Sequence, residues 1–507
     1  MLREITMAAA FGTTPTVAAF WMAFRFAYLL RRLFGEGALN VAFIPYFETL
    51  RSKDSKLAAR FFYDLTLGAT LVLLLFIFVI ESILGGILLF SDVNASNGEI
   101  LRFTMLLLPA LVFISLFAIN TSLLNCQRSF FIPSVAPVAV NLCWICAIFI
   151  VFRFPVERAL EYLAIVIVFA FILQWAVTLP NVLKYFKEEM GECWQAVHFS
   201  GKELLQILKP FTLGMLGVAA TQINSALDAL FARYADPQGP AYLWYAIRIE
   251  QLPLSLFGLA LTGALLPPIS RAIQAGDKSK YLSFLNFALK RSLAVMLPMM
   301  AALFPLGFSG ISLVYGHGGF SQEAACATTR CLWGYAGSLL PSTLVLILAA
   351  AFYGQKNYVT PTVFSLCSVV FNIIFNLVFV FIFRWGAVSI ALATALSTCL
   401  NATLLALALK KSQNLNLQGT FTTAWKTSLA SLLALLATFW IGSYCNDNTL
   451  FWVMGREAAN FPREILSQLL IFLVEASTFA LTFLAAAILL PLDILPFFKR
   501  GLKNSIR

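Results

Sequence analysis

Arg25, Arg31 and Arg32, with Glu36 close behind, lie inside 23–47, a stretch long and apolar enough to cross a bilayer. Guanidinium groups stay charged at any working pH and grip phosphate or carboxylate through two parallel N–H bonds. Several of them facing one cavity therefore make a site for an anion such as a pyrophosphate or phosphate headgroup. An arginine at membrane depth costs about 3 kcal/mol even on the most lenient insertion scale, so such a charge faces water or a partner and marks a substrate path. On a helix, Arg25, Tyr28, Arg32 and Glu36 fall at i, i+3, i+7 and i+11 and share one stripe, whereas Arg31 points about 100° away. Arg32 and Glu36 can pair at i, i+4. The competing reading for Arg31 and Arg32 is that they sit near the end of the span and snorkel to the interface.

Arg248 lies in a second apolar span, with Glu250 two residues on and Gln251 at i+3. It is either a second cation of the same cavity or the structural partner of Glu250 or another acid. Asp228, and Asn372 with Asn376 at i, i+4, are further polar groups inside apolar runs. Their oxygens suit a hard cation such as Na⁺; the alternative is hydrogen bonding between helices. Other chemistries find little support. His198 and His317 are the only histidines, which argues against a histidine-based metal centre. Cys143 and Cys146 form a CxxC with no second pair, in a run that reads as small membrane-packing residues. No phosphate-cradling GxxxxGK[ST] occurs, and Gly316-His-Gly-Gly319 reads as a turn. An enzyme acting on polyprenyl-pyrophosphate would want convergent carboxylates or histidines in the outer loops, and no catalytic set stands out there.

The elements that position these residues are membrane helices. The chain has 507 residues, 60% hydrophobic and 12% charged, with a mean hydropathy of +0.85. This is the composition of an all-α polytopic membrane protein. Thirteen complete spans are expected at about 17–47, 61–91, 100–124, 133–153, 159–183, 204–232, 241–269, 285–315, 324–353, 360–383, 386–409, 420–444 and 466–492. Residues 1–11 are about half a span, the end of a fourteenth, which places the natural start upstream of Met1. Alternate loops carry 20 and 8 of the 35 basic residues. The richer side, with the tail Lys499–Arg507, is expected to be cytoplasmic. The net charge of +11 is thus mostly topology rather than a nucleic-acid signal.

An internal repeat is visible. Ala23-Phe-Arg-Phe-Ala-Tyr-Leu29 aligns with Ala246-Ile-Arg-Ile-Glu-Gln-Leu252 at an offset of 223, which also carries Pro45 onto Pro268. Gln127, Phe130 and Pro133 align with Gln355, Tyr358 and Pro361 at an offset of 228. Two ordered landmarks with nearly equal offsets predict two six-helix lobes of the same orientation, facing each other across a central cationic cavity. The predicted division is 1–185 for the first lobe, 186–203 for a cytoplasmic linker, 204–411 for the second lobe and 412–507 for two appended helices and a tail.

Leu29-Leu-Arg-Arg-Leu-Phe-Gly-Glu-Gly37 followed by Ala42-Phe-Ile-Pro45, Leu124-Asn with Ile132-Pro-Ser-Val-Ala-Pro137, Tyr245-Ala-Ile-Arg248 with Leu252-Pro253, and Phe352-Tyr353 with Thr360-Pro361 occur in that order. Over nearly its whole length the chain resembles the MurJ (MviN) family of lipid II flippases, within the multidrug/oligosaccharidyl-lipid/polysaccharide exporter superfamily. The resemblance implies a transporter rather than an enzyme. Lipid II, the undecaprenyl-pyrophosphate-linked peptidoglycan precursor, would cross a bacterial inner membrane by alternating access. It implies membrane lipids and other cell-wall synthesis proteins as partners, and no nucleic acid. The family's cavity arginines carry over onto Arg3, Arg31 and Arg248; Arg25 and Arg32 keep basic character, and Glu250 and Gln251 line the same site. The appended helices would hold the polyprenyl tail. A sodium site like that of some members would use Asp228, Asn372, Asn376 and Thr394, with no other cofactor. Three departures stand out: Ala18 lies where an acidic residue is common, Gln251 where a cavity glutamate is expected, and a further family arginine would precede Met1.

Overall fold

A computed structural model describes residues 1–34, 38–91, 94–190, 204, 222–259, 267–269, 271–355, 357–413, 418–444, 464–490 and 492. The chain divides into two compact units, Met1–Leu230 and Phe231–Arg507. Among the described residues every regular element is helical.

The first unit contains α1 (Leu2–Phe11), α2 (Pro15–Phe34), α3 (Ala38–Arg51), α4 (Ser55–Phe90), α5 (Ala95–Leu107), α6 (Ala110–Cys126), α7 (Phe131–Val151), α8 (Val156–Ala176) and α9 (Leu179–Met190). Helix α2 packs on α5, and α8 packs on α7 and α6. A second core joins α3, α4, α6 and α9 through stacked aromatics, Phe43 against Phe47 and Phe61 with Tyr185 close by. The far end of α4 is bare, with Phe90 90% exposed. In a chain this apolar, such a surface belongs against lipid rather than water.

The second unit contains α10 (Gly239–Pro253), α11 (Lys278–Ala302), α12 (Leu306–Tyr315), α13 (Gln322–Gly354), α14 (Val359–Leu377), α15 (Val388–Gln413), α16 (Gln418–Tyr444) and α17 (Ile465–Leu489). Helix α13 is central, packing on α15, α10, α11 and α12. The appended pair α16 and α17 pack on each other, α16 lies on α11, and α17 lies on α12. There the Ser309 hydroxyl donates to Glu475 Oε2 at 2.5 Å, both side chains being buried.

Among the described residues, ten helical runs are long and apolar enough to cross a membrane. Nine of them coincide with expected spans, and the tenth, Lys278–Ala302, covers the first part of 285–315. Four expected spans, 285–315 among them, differ or fall partly outside the described residues. The expected span 17–47 is two helices, α2 and α3, and α2 alone carries three arginines. Most of 204–232 is not described, although residues 222–235 are helical. The span 241–269 begins as α10 and passes at Pro253 into a π-helical turn, Leu254–Leu259. Proline withholds an N–H from the ladder, which favours such a widening. The span 285–315 is likewise divided, between α11 and α12 with Pro305 at the N-cap of the latter.

The repeat extends to helix starts. Asp54 caps α4 by accepting the Lys56 N–H, and Asp277 caps α11 by accepting the Lys280 N–H, both at 2.9 Å. These caps are 223 residues apart, and α7 and α14 start 228 apart, the same two offsets read from the sequence. The Lys280 N–H bond holds the Asp277 carboxyl below the usual carboxylate range.

Candidate functional sites

In the first unit the site forms around Arg3, in the first turn of α1. Glycine 12 ends that helix at φ 63°, a left-handed value that suits glycine, so α2 can follow directly at Pro15. Helix α1 lies on α7, and the Arg3 guanidinium sits 4.5 Å from the Trp144 ring centroid and 5.9 Å from Phe24. Trp144 is fully buried. It stacks on Trp21 at 6.2 Å and 18°, and meets Phe20 and Phe24 edge-on. An aromatic floor therefore holds one cation by its ring quadrupoles, worth about 2 kcal/mol where water is displaced. Arg3 Nη2 donates to Glu4 Oε1 at 2.5 Å, and Glu4 is 3% exposed. Arg3 Nε and the Trp144 indole N–H are buried and find no acceptor among the described residues. An unmet buried donor costs about 1–3 kcal/mol, so two beside a cation make a place where an anion is stabilised.

The second unit has a counterpart built within one helix. Trp244 and Arg248 are i, i+4 on α10, with the guanidinium 4.4 Å from the indole centroid. Gln251, one turn further, accepts from Arg248 Nη1 at 3.4 Å. Trp244 is buried and Arg248 half-buried. Glu250 turns to another side of α10, where it is 4% exposed and accepts from the Ser338 hydroxyl of α13 at 3.3 Å.

Arg25 is half-buried on α2. Arg31 and Arg32 lie near the end of that helix, but their side chains, and Glu36 altogether, fall outside the described residues. In the residues read as a cation site, Asn376 donates to Asn372 Oδ1 at 2.7 Å, and both are 1% exposed. Asp228 is 6% exposed and accepts from Asn224 at 3.4 Å. Thr394 is half-buried, and its carbonyl accepts from Ser397 and Thr398. Among the described residues no group of three His, Cys, Asp or Glu could hold a metal.

The tryptophans are what the sequence reading overlooked. Trp144 falls within the CxxC run, where only the cysteines drew notice. Trp21 and Trp244 extend the 223-residue repeat to Trp-x-Ala-x-Arg, a signal present in the sequence all along.

With the geometry described, the chain can be set beside known proteins. Residues 7–462 match the family described as lipid II flippase MurJ. The probable lipid II flippase MurJ of Chlamydia trachomatis is 37% identical over 373 residues, 74% of this chain and 68% of that protein. That of Aquifex aeolicus is 31% identical, covering 73% and 71%. Among solved structures, lipid II flippase MurJ in an inward closed conformation aligns over 100% of this chain and 96% of its own, with TM-score 0.78 and 23% identity. An inward-facing multidrug resistance transporter of the MATE family, in the MOP superfamily, aligns over 82% and 94%, with TM-score 0.65 and 15% identity. At such identities the two structures support the shared fold alone.

Proposed function

Because this chain belongs to the lipid II flippase MurJ family, we propose that it moves lipid II from the cytoplasmic to the outer leaflet of a bacterial inner membrane by alternating access. It acts as a transporter, with no bond made or broken. The observation that carries the site assignment is the pair of arginines seated on tryptophans, Arg3 on Trp144 and Arg248 on Trp244. Each is a fixed charge with its planar fork held by the indole, so little side-chain freedom is lost when a pyrophosphate oxygen arrives. Arg31 would add a third contact, with Arg25, Arg32 and Gln251 along the path, while Glu250 positions α10 through Ser338.

In this reading residues 1–185 and 204–411 are the two lobes, 186–203 links them, and 412–507 carries the helices for the polyprenyl tail, with both termini cytoplasmic. Headgroup binding drives the transition only through contacts that differ between the two states. Asp228, Asn372, Asn376 and Thr394 would offer oxygen donors of the kind Na⁺ prefers. An ion at Asn372 Oδ1 would have to compete with the Asn376 amide that already donates to it.

The test is replacement of a bacterium's own flippase by this chain. Lipid II should become accessible to a probe outside the cell, and Arg248→Ala should abolish this at normal expression. If lipid II stays hidden with the chain correctly inserted, the proposed function is wrong.

A further inference from the structure

On α13 and α15 of the second unit, lined by neither Trp244 nor Arg248, lies a groove of about 440 Å³. Its walls are apolar, formed by Phe304, Gly334, Gly337, Leu392 and Leu396, and Arg330 stands at one end. Two glycines make the groove. A Cβ on Gly334 would come within 2.7 Å of the Ala391 Cβ, and one on Gly337 within 3.4 Å of the Ala395 Cβ. The two helices are therefore parallel and closely apposed. The Trp333 indole is held as a wall by donating to the Phe304 carbonyl at 3.0 Å.

Depth follows from register. Gly334 meets the Val388 carbonyl, the first residue of α15. Arg330, one turn or about 6 Å before Gly334, is thus level with the chain just ahead of α15, where Arg384 adopts φ 54° and Trp385 is 50% exposed. A turn with an exposed tryptophan beside a membrane helix marks the headgroup level. Arg330 is exposed there. From that level the groove runs to Cys399, three turns into α15, with Leu396 45% exposed along it.

We infer that the α13–α15 groove binds one membrane phospholipid, with its phosphate on Arg330 and an acyl chain lying along Gly334, Gly337 and Leu396. A cation at headgroup level above an apolar trough is complementary to an amphiphile of that polarity, whereas a soluble anion would leave the trough empty. The inference does not depend on which headgroup the protein transports.

The full chain in nanodiscs, supplied with a phospholipid carrying a diazirine on its acyl chain, provides the test. Mapped crosslinks should fall on 392–399 and 334–337. Arg330→Gln, a substitution of an exposed side chain, should lower labelling about fivefold at limiting lipid, the usual effect of one basic residue beside a lipid phosphate. Diacylglycerol with the same diazirine chain should label the parent protein no better than the phospholipid labels this variant. Leu396→Trp, which fills the trough, should lower labelling with Arg330 intact. Glycerol 3-phosphate in excess should leave labelling within twofold. Equal labelling by diacylglycerol and phospholipid would reduce the groove to unspecific lipid contact. Displacement by glycerol phosphate would assign it to a free phosphate ester, and preferential labelling by a polyprenyl phosphate would assign it to another lipid; each overturns the inference.

Discussion

Lysine at position 248 keeps the charge and almost the same reach, so Arg248→Lys separates charge from geometry. In the structure the guanidinium lies 4.4 Å from the Trp244 centroid and donates to Gln251. An ammonium loses the planar stacking, a difference of about 1 kcal/mol at a half-buried site. On the proposed site assignment it would also lose one of two parallel charge-assisted bonds to a phosphate oxygen pair, about 2 kcal/mol. Together these weaken lipid II binding by about 3 kcal/mol, or roughly a hundredfold. Affinity of the purified protein for lipid II measures this, with a melting curve to confirm that the fold is intact. Trp244→Leu alone should cost about tenfold, and adding Arg248→Lys to it should cost less than the two single losses combined, because both act on one contact. A lysine variant within threefold of the parent would mean that charge alone matters there, and the argument from the indole seat would fall.

Three further outcomes are expected. Gly334→Ala should lower thermal stability by about 1–3 kcal/mol, since its Cβ would press on Ala391 and on α15 backbone; Gly337→Ala should be nearly silent, and equal melting temperatures would contradict the close approach. Glu475→Leu should cost about 1–2 kcal/mol and speed proteolysis at the ends of α17, because Ser309 loses its short bond to that helix; unchanged cleavage would show that the bond does not hold α17 on α12. The Asp277 carboxyl is held below its usual range by the Lys280 N–H, so its cap is complete at neutral pH, remains above the ordinary carboxylate value, and is lost as pH falls through the lower folded value. Hydrogen exchange in the first turn of α11 should rise across that acid window, and Asp277→Asn, which keeps an acceptor, should remove the dependence.

The fold was legible where hydropathy alone decides it. Nine expected spans coincide with long apolar helices, because uninterrupted hydrocarbon-length runs leave the backbone no alternative to a helix. The interrupted spans were legible only in part. Pro253 and Pro305 stand at the ends of divided elements, but apolar composition continues straight through them, so a sequence window sees one span. The arginines were legible as charges out of place; what each one touches was not. Arg248 and Glu250 are two residues apart and invite pairing on paper, yet a helix separates i from i+2 by about 200°, and Glu250 reaches Ser338 of α13 instead. Arg3 gave no hint of Trp144, which is 141 positions away in the chain.

The repeat and the sites obey different rules, and the tryptophans reveal how. At an offset of 223, Trp21 and Arg25 are the equivalents of Trp244 and Arg248. In the second unit the tryptophan carries its own arginine. In the first, Trp21 is 1% exposed and stacks on Trp144, and Trp144 carries Arg3. At an offset of 228 the equivalent of Trp144 is Asn372, whose side chain bonds Asn376. The repeat therefore keeps the helix starts and the Asp54 and Asp277 caps, while Trp144 on α7, outside the Trp-x-Ala-x-Arg match, adds a seat for Arg3. Seating one arginine within a helix and the other between helices makes the two contacts unequal in how far each can move.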